Sequence, residues 1–263
     1  MNVTNLAQVS GASVLGLAVV HSVTFAIGRR IGRYNVVDVA WGVGFVAIAA
    51  VAATVGHGDP TRRWLLLALV SIWGLRLSWH IQRKTAGKGE DPRYAALLRD
   101  ASVGQVLRKV FLLQAFITWF VSLPLQLSAV TGATPKPLTA VTVLGVAVWL
   151  VGVTFESVGD RQLKVFKSDP ANHGVVMDRG LWAWTRHPNY FGDAAAWWGV
   201  WLITINGWLA LATVGSPLLM TYFLVYVTGA RLTEKLMAGR PGFDEYKSHT
   251  AFFFPRPPRL LHR

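Results

Sequence analysis

The segment TRHPNYFGD, residues 185–193, places a guanidinium, an imidazole, an amide, a phenol and a carboxylate close together in the chain. Pro188 restricts the preceding His187 to extended conformations and suits the first position of a helix. The sequence therefore predicts a polar loop that ends at His187 and a helix that opens with residues 189–193. This arrangement suits an anionic cofactor, whereas the alternative is a prolyl turn whose Arg186 reaches lipid headgroups.

A second group of ionisable residues lies within apolar stretches. Asp38 falls near the start of an apolar run that continues to residue 55. Arg76 and His80 stand one helical turn apart, and Arg83 follows one turn later. Since an ionisable group in hydrocarbon costs about 2.5 to 3.5 kcal/mol, we expect these side chains to face the interior of a bundle. They form either a cofactor or substrate site or a structural charge pair between Asp38 and Arg76.

A third pattern consists of Glu156, Asp160 and Lys164, which recur every four residues and therefore share one helix face. Intrahelical ion pairing alone explains such spacing and contributes about 0.2 to 0.5 kcal/mol per pair. The stripe is nevertheless expected in the same cytoplasmic layer as residues 185–193. There, carboxylates can accept hydrogen bonds from ribose hydroxyls while basic groups meet phosphates.

The composition predicts the elements that must position these groups. Apolar residues make up 52% of the chain, charged residues 15%, and the mean hydropathy is +0.39, values typical of an integral membrane protein. We predict an all-α transmembrane bundle of about seven spans, because each crossing needs roughly 20 apolar residues. The predicted spans cover residues 12–28, 36–56, 64–82, 110–130, 138–158, 191–206 and 209–230.

The net charge of +13 is explained by membrane topology. Lys and Arg concentrate in loops 83–109 and 159–190 and in tail 231–263, which are therefore expected to be cytoplasmic and to cap the cofactor side. The N-terminus is expected outside and the C-terminus inside, with residues 1–263 forming one membrane domain. A nucleic-acid partner is not expected, and the chain has no cysteine and no histidine spacing typical of a metal site.

Several motifs together resemble one family. They are GKGEDPRY at residues 87–94, the Glu156, Asp160 and Lys164 stripe, GLWAWTRHPNYFGD at residues 180–193, and the proline-rich end. This combination resembles the DUF1295 branch of steroid 5-alpha-reductase-like membrane proteins. The resemblance implies a seven-helix bundle that holds NADPH from the cytoplasmic side, with a lipophilic enone entering from the bilayer.

The resemblance also implies site residues. Steroid reductases hold the substrate carbonyl with a Glu and a Tyr, and this sequence offers Asp38 and His80 at the corresponding places as catalytic residues. The residues expected to contact the cofactor are Arg76, Arg83, Glu156, Asp160, Lys164, Arg186, His187, Asn189, Tyr190, Asp193 and Tyr246.

The expected activity is NADPH-dependent reduction of a conjugated carbon–carbon double bond in a lipid enone, within a bacterial cell membrane. A hydrogen bond from Asp38 or His80 would stabilise the developing enolate. One alternative is methyl transfer from S-adenosylmethionine to a lipid or thiol, since related methyltransferases also keep a Glu and tyrosines before a terminal Pro-Arg, as at Glu234 and Tyr246. Another is a transporter in which Asp38, Arg76 and His80 form a solute pathway.

Overall fold

The structure is a computed structural model that describes residues 2–258, and this range is helical without any β-strand. The α-helices are α1 (Val3–Ile31), α2 (Val37–Val55), α3 (Pro60–Thr85), α4 (Pro92–Leu97), α5 (Val103–Val106), α6 (Leu113–Val121), α7 (Leu123–Ser128), α8 (Thr139–Ser168), α9 (Pro188–Thr204), α10 (Gly215–Tyr222), α11 (Ala230–Met237) and α12 (Phe243–His249). Two π-helical segments, Leu107–Leu112 and Phe223–Val227, lie between α-helices. The all-α prediction is confirmed.

The chain divides into two compact units, which are described separately. Unit 1 comprises Met1–Thr142 with Ile203–Ser216, and unit 2 comprises Val143–Leu202 with Pro217–Arg263. The prediction of one domain over residues 1–263 stays a prediction.

Within residues 2–258, five helices are long and apolar enough to cross a membrane. They are Val3–Ile31, Val37–Val55, Pro60–Thr85, Lys136–Ser168 and Trp208–Met237. These overlap five of the seven predicted spans, so the prediction of a polytopic membrane protein is supported. The count of seven and the orientation of the termini stay predictions.

The two remaining predicted spans have a different helical character. Residues 110–130 are divided among a π-helical segment, α6 and α7, and Pro124 near the start of α7 has no backbone N–H to donate. Residues 191–206 fall mostly in α9, which has 17 residues. Hydropathy detects the apolar composition of both regions. It does not report the interruption of the first region or the length of the helix in the second.

In unit 1, α2 packs most extensively against α3 and then against α1. Glycine permits the close approach of α2 and α3, since a Cβ on Gly74 would lie 2.7 Å from the Gly42 carbonyl oxygen. The hydroxyl of Ser78 then donates a hydrogen bond of 2.7 Å to the Val39 carbonyl across the same contact. Small residues are favoured between membrane helices because they let two backbones meet.

In unit 2, α8 and α9 make a similarly close contact through two sets of glycines spaced by seven residues. Gly145, Gly152 and Gly159 lie on α8, and Gly192 and Gly199 lie on α9. A Cβ on Gly152 would lie 2.6 Å from the Gly192 oxygen, and one on Gly199 would lie 2.6 Å from the Gly145 oxygen. We call these five residues the glycine contact, and it leaves no room for a methyl group at Gly152, Gly192 or Gly199.

Replacing Gly192 by Ala is expected to destabilise unit 2, because its Cβ would lie 2.9 Å from the Glu156 Cα and backbone cannot move aside as a side chain can. Overpacking of this kind typically costs about 1–3 kcal/mol. Thermal unfolding of the purified protein in one detergent measures the effect. The control is Gly11→Ala in α1, where a Cβ meets nothing within 4 Å. Equal unfolding temperatures for the two variants would contradict the proposed contact.

Candidate active-site clusters

In unit 1, the segment GKGEDPRY, residues 87–94, contacts the start of α2. The carboxylate of Glu90 accepts hydrogen bonds from the backbone N–H groups of Tyr34, at 2.5 Å, and Asn35, at 2.9 Å. The Arg33 guanidinium donates to carbonyl oxygens of Thr85 and Lys88. These two N–H groups lie in the turn just before α2, so Glu90 ties segment 87–94 to that turn. Its role is to position α2.

Asp38, in the first turn of α2, is part of a chain of side-chain hydrogen bonds. The Tyr94 hydroxyl donates to Asp38 Oδ1 at 2.5 Å, and Gln114 Nε2 donates to the Tyr94 oxygen at 3.0 Å. Arg93 Nη2 lies 3.8 Å from the other Asp38 oxygen. These residues form the Asp38–Tyr94–Gln114 chain.

Tyr94 lies in α4, outside the long apolar helices. Burial raises the pKa of its phenol, and the adjacent Asp38 raises it further. The phenol therefore keeps its proton at neutral pH and acts as a hydrogen-bond donor.

The Arg93 guanidinium, next to Tyr94 in the chain, makes two hydrogen bonds to Asp91, at 3.0 and 2.9 Å, which lower the pKa of the Asp91 carboxyl.

Among the buried side-chain atoms of unit 1 that have no hydrogen-bond partner within residues 2–258 are three from His21 and Gln114. They are both ring nitrogens of His21 and Oε1 of Gln114. The His21 ring meets Phe111, a residue of the π-helical segment, edge to face at 6.2 Å. Buried polar atoms without partners are rare in folded proteins, and each costs free energy unless something satisfies it. A polar ligand group would do so.

The predicted residues of α3 lie along the helix as the sequence indicates. Arg76 and His80 are partly buried and one turn apart, and both make polar or ring contacts. Arg83 is exposed, and its guanidinium lies 5.2 Å from the centre of the Trp79 ring. Their assignment to catalysis or cofactor binding stays a prediction.

In unit 2, the predicted residues Arg186 and His187 meet at Glu234 of α11. Arg186 Nε donates to Glu234 Oε1 at 2.6 Å, and His187 Nε2 lies 3.3 Å from the same oxygen. Arg186 Nη1 also donates to the carbonyls of Lys247 and Thr250. The guanidinium is thus largely used by contacts within the protein.

The tail residues 251–256 cover the segment that begins with Thr185. The Thr185 hydroxyl donates to the Phe253 carbonyl at 2.9 Å, and the Arg186 N–H donates to the Ala251 carbonyl at 2.9 Å. The predicted cofactor contact Tyr246 is buried, and its hydroxyl donates to the Trp182 carbonyl at 2.6 Å. Its observed contact is therefore a structural one.

Asp160 of α8 and Asn189 of α9, which are both predicted to contact the cofactor, lie next to each other. Asn189 Nδ2 donates to Asp160 Oδ1 at 3.2 Å. On the same two helices, Glu156 and Asp193 are buried, and both have contacts of their own. Lys164 is exposed and makes no hydrogen bond or ion pair within residues 2–258.

His187 stacks on the predicted Tyr190 at 5.8 Å between ring centres. Burial lowers the pKa of His187 to about 4, although Glu234 opposes the shift. The imidazole is therefore neutral at pH 7 and can accept or donate a hydrogen bond.

Tyr94, Gln114 and Glu234 were not predicted as site residues. Tyr94 belongs to the family motif GKGEDPRY, and Glu234 belongs to the tail that resembles methyltransferases. Gln114 was detectable as an amide within a predicted span, because a polar group in hydrocarbon needs a partner.

The neutral state of His187 predicts a loss of stability in acid. Because its folded pKa is about 4 and the unfolded value is 6.5, the unfolded state binds the extra proton first as the pH falls from 6.5 to 4. The free energy of unfolding should fall over this interval by up to about 3 kcal/mol, at 1.36 kcal/mol per pKa unit. Measuring unfolding from pH 7 to 4.5 in wild type and in His187→Gln checks this. The variant should lose part of the slope, and an unchanged slope would contradict the assignment.

A search for similar proteins found no match among curated proteins and none among solved structures. The family model described as "Protein of unknown function (DUF1295)" matches residues 24–250. This range includes the Asp38–Tyr94–Gln114 chain, Asp160, Asn189 and the Arg186, His187 and Glu234 cluster. The similarity to steroid 5-alpha-reductases stays a prediction, but the match covers most of the chain, which therefore belongs to the DUF1295 family.

Proposed function

We propose that this protein is a membrane-embedded reductase that uses NADPH to reduce a conjugated carbon–carbon double bond in a lipophilic carbonyl compound. The observation that carries the proposal is the Asp38–Tyr94–Gln114 chain. It offers a neutral, half-buried O–H donor held in place by two neighbours. This is the chemistry needed to stabilise negative charge on an oxygen.

The residues of unit 1 act on the substrate oxygen. A bound NADPH would supply the hydride for the β carbon, and the electron pair of the double bond would then move toward the carbonyl oxygen, which would carry the negative charge of an enolate. Tyr94 donates its single hydroxyl hydrogen to that oxygen, taking the substrate as acceptor in place of Asp38. Gln114 keeps the phenol oxygen in position through its 3.0 Å hydrogen bond. A proton from solvent at the α carbon completes the reduction.

The Asp38–Tyr94 pair provides a carboxyl and a phenol, as the Glu and Tyr of steroid reductases do. We therefore assign the carbonyl donor to Tyr94, and Asp38 holds its hydroxyl until the substrate oxygen replaces Asp38 as the acceptor. His80 remains the alternative electrophile. The unpartnered nitrogens of His21 and the unpartnered oxygen of Gln114 support a polar ligand in unit 1, because a hydroxyl or carbonyl on the substrate would satisfy them.

Unit 2 offers residues that fit a nucleotide. The Asp160 carboxylate and the Asn189 amide, 3.2 Å apart, can accept from and donate to ribose hydroxyls. Lys164 is an exposed cation without a partner among residues 2–258, one turn from Asp160 on the same helix, and is suited to a phosphate. These residues fit the dinucleotide that the family resemblance implies.

One observation favours the second candidate, methyl transfer from S-adenosylmethionine. The predicted phosphate contact Arg186 already binds Glu234 and two backbone carbonyls, so fewer of its donors remain for a phosphate. S-adenosylmethionine carries no phosphate and does not need such donors. The two candidates therefore differ most clearly in whether unit 2 recognises phosphate.

Replacing Tyr94 by Phe is expected to lower turnover about 10²–10³-fold, the usual effect of removing one oxyanion donor. The affinity for NADPH should stay unchanged, because the change lies at the carbonyl donor. NADPH oxidation by detergent-purified protein with a panel of steroid, polyprenyl and fatty enones measures the turnover.

Tyr222→Phe is the matched control, since Tyr222 is exposed on α10. It should retain full activity. A Tyr94→Phe variant that turns over as fast as wild type would overturn the assignment of Tyr94. Failure of the wild-type protein to oxidise NADPH with every enone class would overturn the proposed reaction.

A further inference from the structure

Unit 2 contains a cavity of about 550 Å³ beside the C-terminal half of α8. Its walls combine the apolar side chains Val158, Val165, Phe166 and Met177 with two arginines, Arg161 and Arg179. Neither the reductase chemistry nor the Asp160–Asn189 pair uses any of these residues. The mixture of apolar and cationic walls suggests an amphiphilic anion as the ligand.

Arg161 is the strongest indication of an anion. It makes no hydrogen bond or ion pair within residues 2–258, although it lines a cavity. The Arg179 guanidinium lies 5.9 Å from the centre of the Phe166 ring, and its one ion pair among the described residues is a long one, 3.9 Å, with Asp178. With Asp169 as the one carboxylate on the walls, the two arginines leave the lining with a net positive charge.

The backbone of the cavity wall at Gly180 is conformationally restricted. Gly180 has a positive φ of 61°, and a Cβ there would lie 2.7 Å from the Gln162 side-chain carbon Cδ. The Gln162 oxygen in turn accepts a hydrogen bond of 3.0 Å from the Leu181 N–H. The loop that carries Arg179 is thus fixed to α8 immediately after this arginine.

An exposed apolar stripe along α8 leads directly to the cavity. Leu144, Val151, Val158 and Val165 are all exposed and lie seven residues apart, which keeps them on one helix face. Arg161 follows Val158 by three residues and so shares this face. Of the five long apolar helices, the one that contains α8 has the smallest buried share in its apolar window, 17%. Its outer face is therefore available to acyl chains.

The length of α8 places the cavity at the membrane surface. The helix has 30 residues, whereas roughly 20 residues cross the hydrocarbon core. Counting from Thr139, the core ends near Val158, and Arg161 follows within one turn. Lipid phosphates lie just outside the hydrocarbon core, at the depth of this arginine.

We propose that this cavity binds an anionic phospholipid, with the phosphate between Arg161 and Arg179 and an acyl chain along the exposed stripe of α8. Charge complementarity selects an anionic headgroup over a zwitterionic one, since each basic residue near an anionic lipid surface contributes to binding. The site is distinct from the groups assigned to NADPH, because Asp160 faces Asn189 whereas Arg161 is exposed.

The test is native mass spectrometry of the full-length protein in detergent, titrated with phosphatidylglycerol and with phosphatidylcholine of the same acyl chains. The expected result is tighter binding of phosphatidylglycerol. The double variant Arg161→Gln/Arg179→Gln should lose this affinity about thirty-fold, which corresponds to about 2 kcal/mol for two basic contacts. The control is Arg99→Gln/Arg108→Gln, which removes the same charge from two exposed arginines outside the cavity.

The outcomes that overturn the proposal are distinct. Equal losses in the two double variants would show general electrostatic attraction, and equal binding of both lipids would remove the headgroup role. A thermal shift with inorganic phosphate that matches the shift with phosphatidylglycerol would identify a free-phosphate site. Loss of NADPH binding in Arg161→Gln/Arg179→Gln would assign the cavity to the nucleotide.

Discussion

The structure of unit 2 depends on the glycine contact between α8 and α9. Within a membrane, lipid tails are as apolar as leucine, so close packing of backbones replaces the hydrophobic effect as the source of helix association. The contact continues at Gly159, where a Cβ would lie 3.2 Å from the Pro188 side chain. The Gly159 carbonyl accepts a hydrogen bond of 3.0 Å from the Trp182 indole. The same contact therefore fixes where α9 begins, and it places Asn189 beside Asp160.

In unit 1, the residues of the short segment 87–94 make contacts of two different kinds. Glu90 binds backbone N–H groups at the start of α2, and Asp91 and Arg93 bind each other. Tyr94 contacts the side chain of Asp38 instead of backbone groups, and Gln114 supports it. Structural contacts use its neighbours, and in the proposed reaction Tyr94 is the residue of this segment that would meet the substrate.

The sequence predicted the parts of the structure that depend on local patterns. Pro188 begins α9 as its fixed φ indicates, and Asp160 accepts a hydrogen bond from Asn189, the residue predicted beside it in one polar layer. The Asp38–Tyr94 hydrogen bond joins residues 56 positions apart, and no periodicity relates them. The Arg186–Glu234 pair joins residues 48 positions apart and likewise depends on tertiary packing.

The division of residues 110–130 was not predicted, because hydropathy measures composition and does not report hydrogen bonding. A π-helical segment over Leu107–Leu112 has no such signature, yet it carries Phe111 to the ring of His21. Such segments occur frequently at functional sites. For Tyr246, in contrast, the sequence motif predicted a contact with the cofactor. In the structure its hydroxyl donates a buried hydrogen bond to the Trp182 carbonyl.

The measurement that tests the central claim most directly is the thermal stability of the purified protein titrated with NADPH and, separately, with S-adenosylmethionine. A ligand that binds only the folded state must raise the unfolding temperature as its concentration rises. The account predicts saturable stabilisation by NADPH that weakens in Lys164→Gln and Asn189→Ala. Stabilisation by S-adenosylmethionine alone would contradict it and support methyl transfer.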